Sequence, residues 1–264
     1  MAVTSSLTTY LRRGWFRASD DRLLFAFPLL ASLLYVDRLR RILVGADVAS
    51  IKFGFPTGLG TLDAFVNVPV PAGVTVSPLF VLAPVALGAD AALTAGYLSR
   101  LRATMHSREV DPVEAARDRF VPMFGLVALD FAIVLLLVLG GAAGSGLLIL
   151  AIPLLLVLAY LFYAAPYLVV VEDRGAVDAL RRSYGLARQG GEYLSFAFQY
   201  LLFTAAVSFP LSVVVYNTGI VGIVVGLLAT TPLAVAADAA TMLFVEDLVG
   251  AGGDARTQSD WVEF

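Results

Sequence analysis

The sequence predicts an all-α membrane protein: a polytopic helical bundle of about six transmembrane helices, with two short interfacial helices on the cytoplasmic side. The first reason is composition. Of 264 residues, 59% are hydrophobic and 15% are charged, whereas a soluble domain is about half apolar and a quarter charged. The second is that several nearly uncharged apolar runs exceed about eighteen residues, enough to cross a hydrocarbon core about 30 Å thick. The third is that arginine-rich loops alternate with uncharged ones.

Six apolar runs fit as membrane spans. Backbone groups in lipid must be hydrogen-bonded internally, so each run is predicted to be a helix; the alternating strands of a membrane barrel are absent. Residues 1–245 are predicted to form one integral membrane domain, and 246–264 a short acidic cytoplasmic tail. The predicted spans are about 21–42, 77–99, 119–140, 146–171, 193–216 and 219–245.

The arginine distribution predicts the orientation, because short cytoplasmic loops carry the excess of positive charge. Loop 100–119 has five arginines and loop 172–192 has four, whereas 140–146 and 216–219 have none. Both termini are therefore predicted to be cytoplasmic, and the protein to lie in the cell (plasma) membrane with segment 43–76 outside.

In segment 43–76, alternating valines around the PAG motif favour a short hairpin. A loop packed over the outer helix ends and a substrate lid are the alternatives.

The first span is the weakest of the six. Only Leu23–Val36 is free of charge, which is about 21 Å of helix. We expect the arginines that follow it to reach the outer lipid headgroups. A cleaved signal peptide is the alternative. It is disfavoured because the preceding segment is long and arginines stand where a small-residue cleavage site should begin. The charged residues in question are Asp37, Arg38, Arg40 and Arg41.

The two arginine-rich loops resemble each other. VEAARDRF (113–120) and VDALRRSY (177–184) share the pattern V-[DE]-A-x-R-x-x-[FY], and both are predicted to be amphipathic helices at the inner interface. Asp111 and Pro112 form a typical helix start for the first, and Gly190 a typical end for the second. A solvated connector is the alternative. The arginines expected to contact headgroups are Arg117, Arg119, Arg181, Arg182 and Arg188.

Two further pairs of segments indicate an internal repeat. PVALGADAA (84–92) and PLAVAADAA (232–240) are identical at six of nine positions, and their prolines are predicted to kink their helices. YLVVVEDRG (167–175) is similar to MLFVEDLVG (242–250). Spans two, four and six therefore look like variants of one unit, duplicated in parallel, as occurs in some transporters.

Several kinds of site are excluded by composition. The chain has no cysteine, so it has no disulfide, thiolate nucleophile or zinc–sulfur site. His106 is the sole histidine, and no metal or cofactor is expected. A net charge of −3 gives no footprint for nucleic acid. The GGAAGSG stretch (140–146) lacks the lysine of a phosphate-binding loop and is predicted to be a turn. The excess of arginine over lysine and the acidic pI indicate a GC-rich, halophilic and archaeal source.

Three aspartates fall within the predicted spans. Each costs about 2.5–3.5 kcal/mol at the centre of a bilayer. Because spans two to six contain no lysine or arginine, no basic partner is expected inside the membrane. Helical spacing places a threonine, and one turn further a tyrosine, near the first aspartate, and a threonine near the last. The candidate polar or ion site is therefore Asp90, Asp130, Asp238, Thr94, Tyr97 and Thr241.

Two hypotheses explain these aspartates. Carboxylates on facing helices can bind a cation or exchange protons during an alternating motion. Alternatively they join neighbouring helices through hydrogen bonds, which average about 0.6 kcal/mol in membrane proteins. A third possibility is that a span boundary is misplaced and one aspartate lies at the interface.

One stretch carries a family resemblance. PYLVVVEDRGAVDALRRSYGLARQGGEY (166–193) resembles a broad family of six-helix prokaryotic membrane proteins. It includes the membrane domain of glycerophosphoryl diester phosphodiesterases and many uncharacterised haloarchaeal proteins. The resemblance implies the six-helix fold over most of the chain. The phosphodiesterase chemistry belongs to a separate soluble domain that these residues do not form, so no hydrolase is implied.

The sequence favours a non-catalytic integral membrane protein that organises partners or lipids. The bilayer, a membrane protein partner and a second copy of the chain are the expected partners. A small transporter or ion-coupled permease using Asp90 and Asp238 is the alternative. A lipid-acting enzyme is disfavoured, because His106 and the charged residues beside it make a poor catalytic cluster.

Overall fold

Helices make up most of the described part of the chain. The computed structural model describes residues 6–45, 48–69, 82–143 and 145–259, and the side chains within them except those of 138–152 and 251–259. Across these ranges the backbone forms no β-strand, as predicted. In chain order the helices are α1 (Leu7–Ala18), α2 (Arg22–Leu34), α3 (Val36–Val44), α4 (Leu62–Phe65), α5 (Ala83–Met105), α6 (Pro112–Asp118), α7 (Phe120–Ala143), α8 (Ser145–Phe162), α9 (Ala165–Val171), α10 (Ala176–Gln189), α11 (Glu192–Asn217) and α12 (Gly219–Ser259).

Four segments of the described chain are long and apolar enough to cross a membrane, which is consistent with the predicted membrane protein. They lie in α7, across α8 and α9, in α11 and in α12. The predicted number of six is not established. α2 is a shorter apolar helix, and the predicted second span begins among residues 70–81, outside the described part. The four segments are Phe120–Leu137, Pro153–Val171, Glu192–Asn217 and Gly219–Gly250.

The stretch predicted as the first span, 21–42, is two helices with a break between them. Tyr35 leaves helical geometry, with φ −111° and ψ 35°, between the end of α2 and the start of α3. Arg38 lies just after this break and forms an ion pair with Asp63. The expectation that Arg38 points to the outer headgroups is therefore corrected, because its guanidinium is paired with a carboxylate of the protein.

The two prolines of the nonapeptide repeat lie in different surroundings. Pro84 is in the first turn of α5 and does not kink it, contrary to the prediction. Proline fits there because the first N–H groups of a helix have no partner within the helix. Pro232 lies inside α12.

α12 continues well past residue 245, the predicted end of the sixth span. The predicted tail is helical as far as Ser259. Side-chain contacts hold its beginning, since Arg102 Nε lies 3.1 Å from Glu246 Oε1 and Tyr10 donates to Asp247 over 3.1 Å. The hairpin predicted around residues 71–73 and the last five residues of the chain lie outside the described part.

Three amphipathic helices, α1, α6 and α10, lie at one end of the bundle. This end holds the arginine-rich loops 100–119 and 172–192 and is called the arginine-rich end. In α6 the Asp111 carboxylate accepts from the N–H of Val113 over 2.9 Å, the predicted cap. α10 ends, as predicted, at Gly190, whose φ is +65°. α1 has no counterpart in the sequence prediction. It crosses α12 at Gly14, where a Cβ would lie 2.9 Å from the Cβ of Ala239.

The core lies where α5, α9, α11 and α12 meet. Tyr97, Tyr167 and Tyr193 are among its largest fully buried side chains. Phe196 and Phe244 stack with their ring centroids 4.1 Å apart and their planes within 4°. Stacked rings give this seam a large buried area and a defined geometry. The stacked rings therefore give this part of the core a well-defined packing.

Candidate functional site

Residues 48–67, here called the inserted hairpin, fold back between the helices. Three buried hydroxyls of α11 bind its backbone. Ser212 Oγ accepts from the N–H of Ser50 over 2.9 Å, and Ser208 Oγ from that of Lys52 over 2.8 Å. Deeper in the bundle, Thr204 donates to the carbonyl of Gly54 over 3.3 Å. The segment therefore runs along α11 from its last turns towards its middle.

The register of these contacts follows from two regular spacings. The hairpin residues are two apart, which is about 6.6 Å of extended chain. The hydroxyls of α11 are four apart, which is about 6 Å of helix. Because the two rises nearly match, each second peptide group of the hairpin meets the next hydroxyl. Irregular backbone deep in a helical bundle needs such partners, since nothing else satisfies its hydrogen bonds.

Two glycines form the tip of the inserted hairpin. Gly58 has φ +89°, and a Cβ on it would lie 3.0 Å from Pro166 and 3.4 Å from Thr94. A side chain at this φ would also be strained. Gly60 donates its N–H to Asp238 over 3.3 Å, and a Cβ there would lie 2.9 Å from Ala234. The tip therefore touches α5, α9 and α12 so closely that only glycine fits.

The inserted hairpin closes on itself where it leaves the bundle. α4 carries the chain back, and the Asn67 amide then donates to the carbonyl of Ile51 over 3.0 Å. Tyr216, near the end of α11, donates to the carbonyl of Asn67. Residues 48–67 are part of segment 43–76, which is predicted to lie outside the membrane. They contact Thr94, about 16 Å along α5 from Ala83, and do not merely cover the helix ends.

A cavity of about 460 Å³ lies beside the inserted hairpin. Its walls come from the hairpin, the α2–α3 break, α5, α7, α8 and the start of α9. Ligand pockets in proteins span roughly 300–1,000 Å³ and are mostly apolar with a few polar groups, and this one fits that description. The aromatic and charged side chains lining it are Tyr35, Phe55, Phe162, Tyr163, Arg38, Lys52, Asp63, Asp90 and Asp130.

Asp63 binds both positively charged side chains of the cavity wall. Its carboxylate pairs with Arg38 and accepts from the Thr61 hydroxyl, and its carbonyl accepts from Lys52. Burial alone would raise the pKa of Asp63, but Arg38, Lys52 and Thr61 hold it below its ordinary value. Burial lowers the pKa of Lys52, against the opposing effect of Asp63. Both cations are therefore engaged by one residue of the hairpin.

Asp90 and Asp130 have no ion-pair partner among the described residues. Asp90 accepts one hydrogen bond, from Tyr35 over 2.9 Å, and the Arg38 guanidinium lies 3.9 Å from the centre of the Tyr35 ring. Asp130, on α7, is exposed and makes no hydrogen bond within the described chain. The Arg38 guanidinium is near enough to act electrostatically on both carboxylates, which also act on each other. Thr94 is 4% exposed and lines the same cavity. Its hydroxyl also has no partner in the described part.

Asp238 does not join the other two aspartates. It is 2% exposed and accepts hydrogen bonds from Tyr167 over 2.7 Å and from Tyr97 over 3.0 Å, besides that of Gly60. Tyr97 was expected beside Asp90 on one face of α5, and this is corrected, because its hydroxyl reaches across to α12. Thr241 donates to the carbonyl of Ala237 over 2.8 Å and not to Asp238.

The five arginines predicted to contact headgroups divide into two groups. Arg119 lies 3.1 Å from Asp173 and Arg182 3.6 Å from Glu172, so both form ion pairs with the chain that follows α9. The other three are exposed at the arginine-rich end, where headgroups can reach them, although Arg181 also lies 3.5 Å from Asp178 on its own helix. They are Arg117, Arg181 and Arg188.

Arg38, Lys52 and Asp63 are site residues that were not predicted from the sequence. No basic residue of the described chain forms an ion pair with the three predicted aspartates, but Arg38 and Lys52 line the same cavity because the first span and segment 43–76 fold inward. Two signals were available. Lys52 is the sole lysine of the chain. The hydroxyls at 204, 208 and 212 form a polar stripe on an otherwise apolar helix, which indicates a polar neighbour.

The cavity thus combines two cations held by Asp63, two carboxylates without an ion-pair partner in the described chain, and aromatic walls. This arrangement can hold a small polar or charged solute. No group of three or more metal-binding side chains occurs within the described residues. Comparison with known proteins adds no identity, since no family model, curated protein or solved structure matches the chain.

Proposed function

We propose that this protein binds a small solute in the cavity beside the inserted hairpin and carries it across the membrane, as a permease does. The observation that supports this most directly is the pair Asp90 and Asp130, which lie in the cavity wall without an ion-pair partner among the described residues. Acidic side chains in membrane-spanning helices are costly and commonly mark solute or ion pathways. A purely structural pair would be expected to have bonded partners, as Asp238 has.

The inserted hairpin supports the same proposal. Discontinuous backbone is tolerated at membrane depth where it is buried in protein or lines a cavity, and transporters commonly build their binding sites from it. Here the hairpin brings Lys52 and Asp63 to the cavity and anchors its tip to Asp238. The arginine-rich end is proposed to face the cytoplasm, in keeping with the distribution of positive charge.

Ligand binding can be tested with three probes that share a phenyl ring and differ in charge: benzyltrimethylammonium, benzoate and benzyl alcohol. Each would be added to the purified protein in detergent at pH 7 while the melting temperature is measured. A ligand that binds only the folded state raises that temperature as its concentration exceeds Kd. We expect one probe to stabilise the wild type and not Leu126→Trp, which fills the cavity. No stabilisation by any probe would contradict the proposal.

Transport is tested next, in proteoliposomes, with whichever probe stabilises the protein. Radiolabelled probe should exchange across the vesicle membrane faster with wild type than with Leu126→Trp or with empty vesicles. Binding without exchange would reduce the proposal to a solute-binding protein.

A structural role remains the second candidate, as the sequence alone favours. The fully bonded Asp238 and the exposed arginines of α6 and α10 support it, because they stabilise the bundle and suit anionic headgroups. On this proposal the protein has no catalytic site and organises lipids or a membrane partner. Recovery of one defined partner in stoichiometric amount from native membranes would support it over the permease.

A further inference from the structure

We propose that the solute is an organic monocation and that it exchanges with one proton at Asp90 and Asp130. This inference rests on the proposed function, and it names the substrate class and the counter-ion of the same cavity. It follows from the charge balance of the cavity wall, from the placement of its hydrogen-bonding groups and from its aromatic lining.

The charge balance favours a cation. Five residues that are ordinarily charged at pH 7 line the cavity, two of them positive and three negative. In their ordinary charge states they leave one negative charge. Asp90 is partly buried and Asp130 is exposed, so the cost comes from their place in apolar, membrane-spanning surroundings. A charge there is expensive and attracts a partner of opposite charge. One monovalent cation makes the set neutral, and an anion would double the imbalance.

The positive side chains are not free to bind an anion. Arg38 is paired with the Asp63 carboxylate and stands over the Tyr35 ring, and Lys52 donates to the Asp63 carbonyl. The negative charge that remains belongs to Asp90 and Asp130. Tyr35 donates to Asp90 and orients one of its oxygens, which leaves the other oxygen as an acceptor.

Thr94 supplies a second, independent indication of a ligand. It is one helical turn from Asp90 on the same face of α5, 4% exposed, and lines the cavity with a hydroxyl that has no partner in the described chain. Buried hydroxyls are usually hydrogen-bonded. A cation bound beside Asp90 would also face the Thr94 oxygen, whose lone pairs attract positive charge.

Aromatic rings favour an organic cation over a bare metal ion. Phe55 and Tyr163 stack with centroids 6.0 Å apart and planes within 9°, and both line the cavity with Phe162. Ring faces attract ammonium groups, and quaternary ammonium ligands are bound in this way in other proteins. Leucines of α7 and α8 complete a wall that suits an apolar substituent.

A proton competes for the same charge. With no cation bound, one proton on Asp90 or Asp130 makes the wall neutral, and entry of a monocation then releases it. One cation enters, one proton leaves, and the charge of the site is unchanged. The groups that face the pair are Tyr35, Arg38, Lys52, Asp63 and Tyr163.

The test is calorimetric titration of the purified wild type with benzyltrimethylammonium between pH 5 and 8. The probe has a fixed charge, so any proton that appears comes from the protein. Repeating the titration in buffers of different ionisation enthalpy counts those protons. We expect up to one proton released per cation bound, and an affinity that falls about tenfold per pH unit in the acidic range.

The matched variants are Asp90→Asn and Asp130→Asn, with Glu114→Gln as control. Glu114 is exposed on α6 and changes the net charge equally, away from the cavity. Each aspartate variant should lose at least tenfold in affinity and lose the proton release, whereas the control keeps both. Asn can still accept from Tyr35, and Asp130 has no bond to lose in the described chain, so both variants should fold.

Three outcomes would overturn the inference as a whole, and a fourth would overturn its organic part. One is cation affinity in Asp130→Asn equal to that of wild type, and another is binding without proton release. The third is stabilisation by benzoate or benzyl alcohol alone, which would leave the proposed permease intact with a different solute. If potassium chloride displaces the probe at equal concentration, the site takes a small inorganic ion and the organic part is wrong. Failure of all three probes would count against the proposed function itself.

Discussion

The backbone N–H of Gly60 donates a hydrogen bond to Oδ2 of Asp238, over 3.3 Å and 178 residues apart in the chain. This contact joins the tip of the inserted hairpin to the longest helix of the bundle. Asp238 also holds Tyr97 of α5 and Tyr167 of α9. One buried carboxylate therefore connects four separate parts of the structure.

Loss of this carboxylate should destabilise the protein more than loss of its counterpart in the nonapeptide repeat. Asp238→Ala leaves two buried hydroxyls and one N–H without an acceptor, and each such group costs about 1–3 kcal/mol. We expect a total of about 3 kcal/mol or more. Asp90→Ala frees only Tyr35, beside a cavity, and should cost about 1 kcal/mol. Unfolding in detergent by heat or by a denaturing surfactant would measure both. Equal losses would show that Asp238 is not the connecting group.

The hydroxyls of α11 should control the local stability of the inserted hairpin. Ser208→Ala removes the acceptor for the N–H of Lys52. Losing about 1 kcal/mol of local stability should make that amide exchange about fivefold faster with deuterium. Exchange measured by mass spectrometry on a peptide covering 48–56 would report it. Ser195→Ala is the control, since Ser195 lies on the same helix and binds Gln199 over 3.1 Å. A similar change in both variants would argue against a specific role of the α11 hydroxyls in holding the inserted hairpin.

Close packing of α1 on α12 should depend on Gly14. A methyl group there would meet Ala239 and the backbone of Ala240 at 2.9 Å, so Gly14→Ala must push the helices apart. We expect a cost of about 1–3 kcal/mol, typical of overpacking, and faster proteolysis of α1. Gly185→Ala is the control, because a Cβ at Gly185 meets nothing within 4 Å. Alanine inside α10 should be neutral or stabilising by up to about 1 kcal/mol.

Protonation of Asp21 at acid pH should weaken the contact between the start of α2 and α5. Burial acts to raise the pKa of Asp21, but hydrogen bonds from Arg100 over 2.6 Å and from Thr104 over 3.0 Å bring it below its usual value of 3.8. A lowered pKa stabilises the folded state above pH 3.8, and this contribution is lost as pH falls through the lowered value. The stability advantage of wild type over Asp21→Asn should therefore be full at neutral pH.

That advantage should disappear at strongly acid pH, where both forms carry an uncharged group at position 21. Unfolding midpoints of the two proteins between pH 2 and 7 would test this. Asp63 also has a lowered pKa, so Asp21→Asn should retain some acid sensitivity. A difference between the proteins that does not change with pH would contradict the role of the charge.

Local features of this chain could be predicted because their causes lie within a few residues. Apolar length predicts the spans in α7, α11 and α12, since a helix must be long enough to cross the hydrocarbon core. The cap by Asp111 and the stop at Gly190 follow from backbone geometry in one turn. The polar candidates Asp90 and Asp130 were visible because a carboxylate in an apolar run is costly wherever it points.

The sequence by itself therefore determined a helical protein suited to a membrane, with acidic residues inside its apolar runs. Only the tertiary structure decided that the similar segments around Asp90 and Asp238 have different surroundings, one facing a cavity and the other bonded to two tyrosines. Hydropathy and helical period describe one segment at a time. The inserted hairpin is held by hydroxyls about 150 residues away, and partners at that separation become neighbours only when the bundle closes.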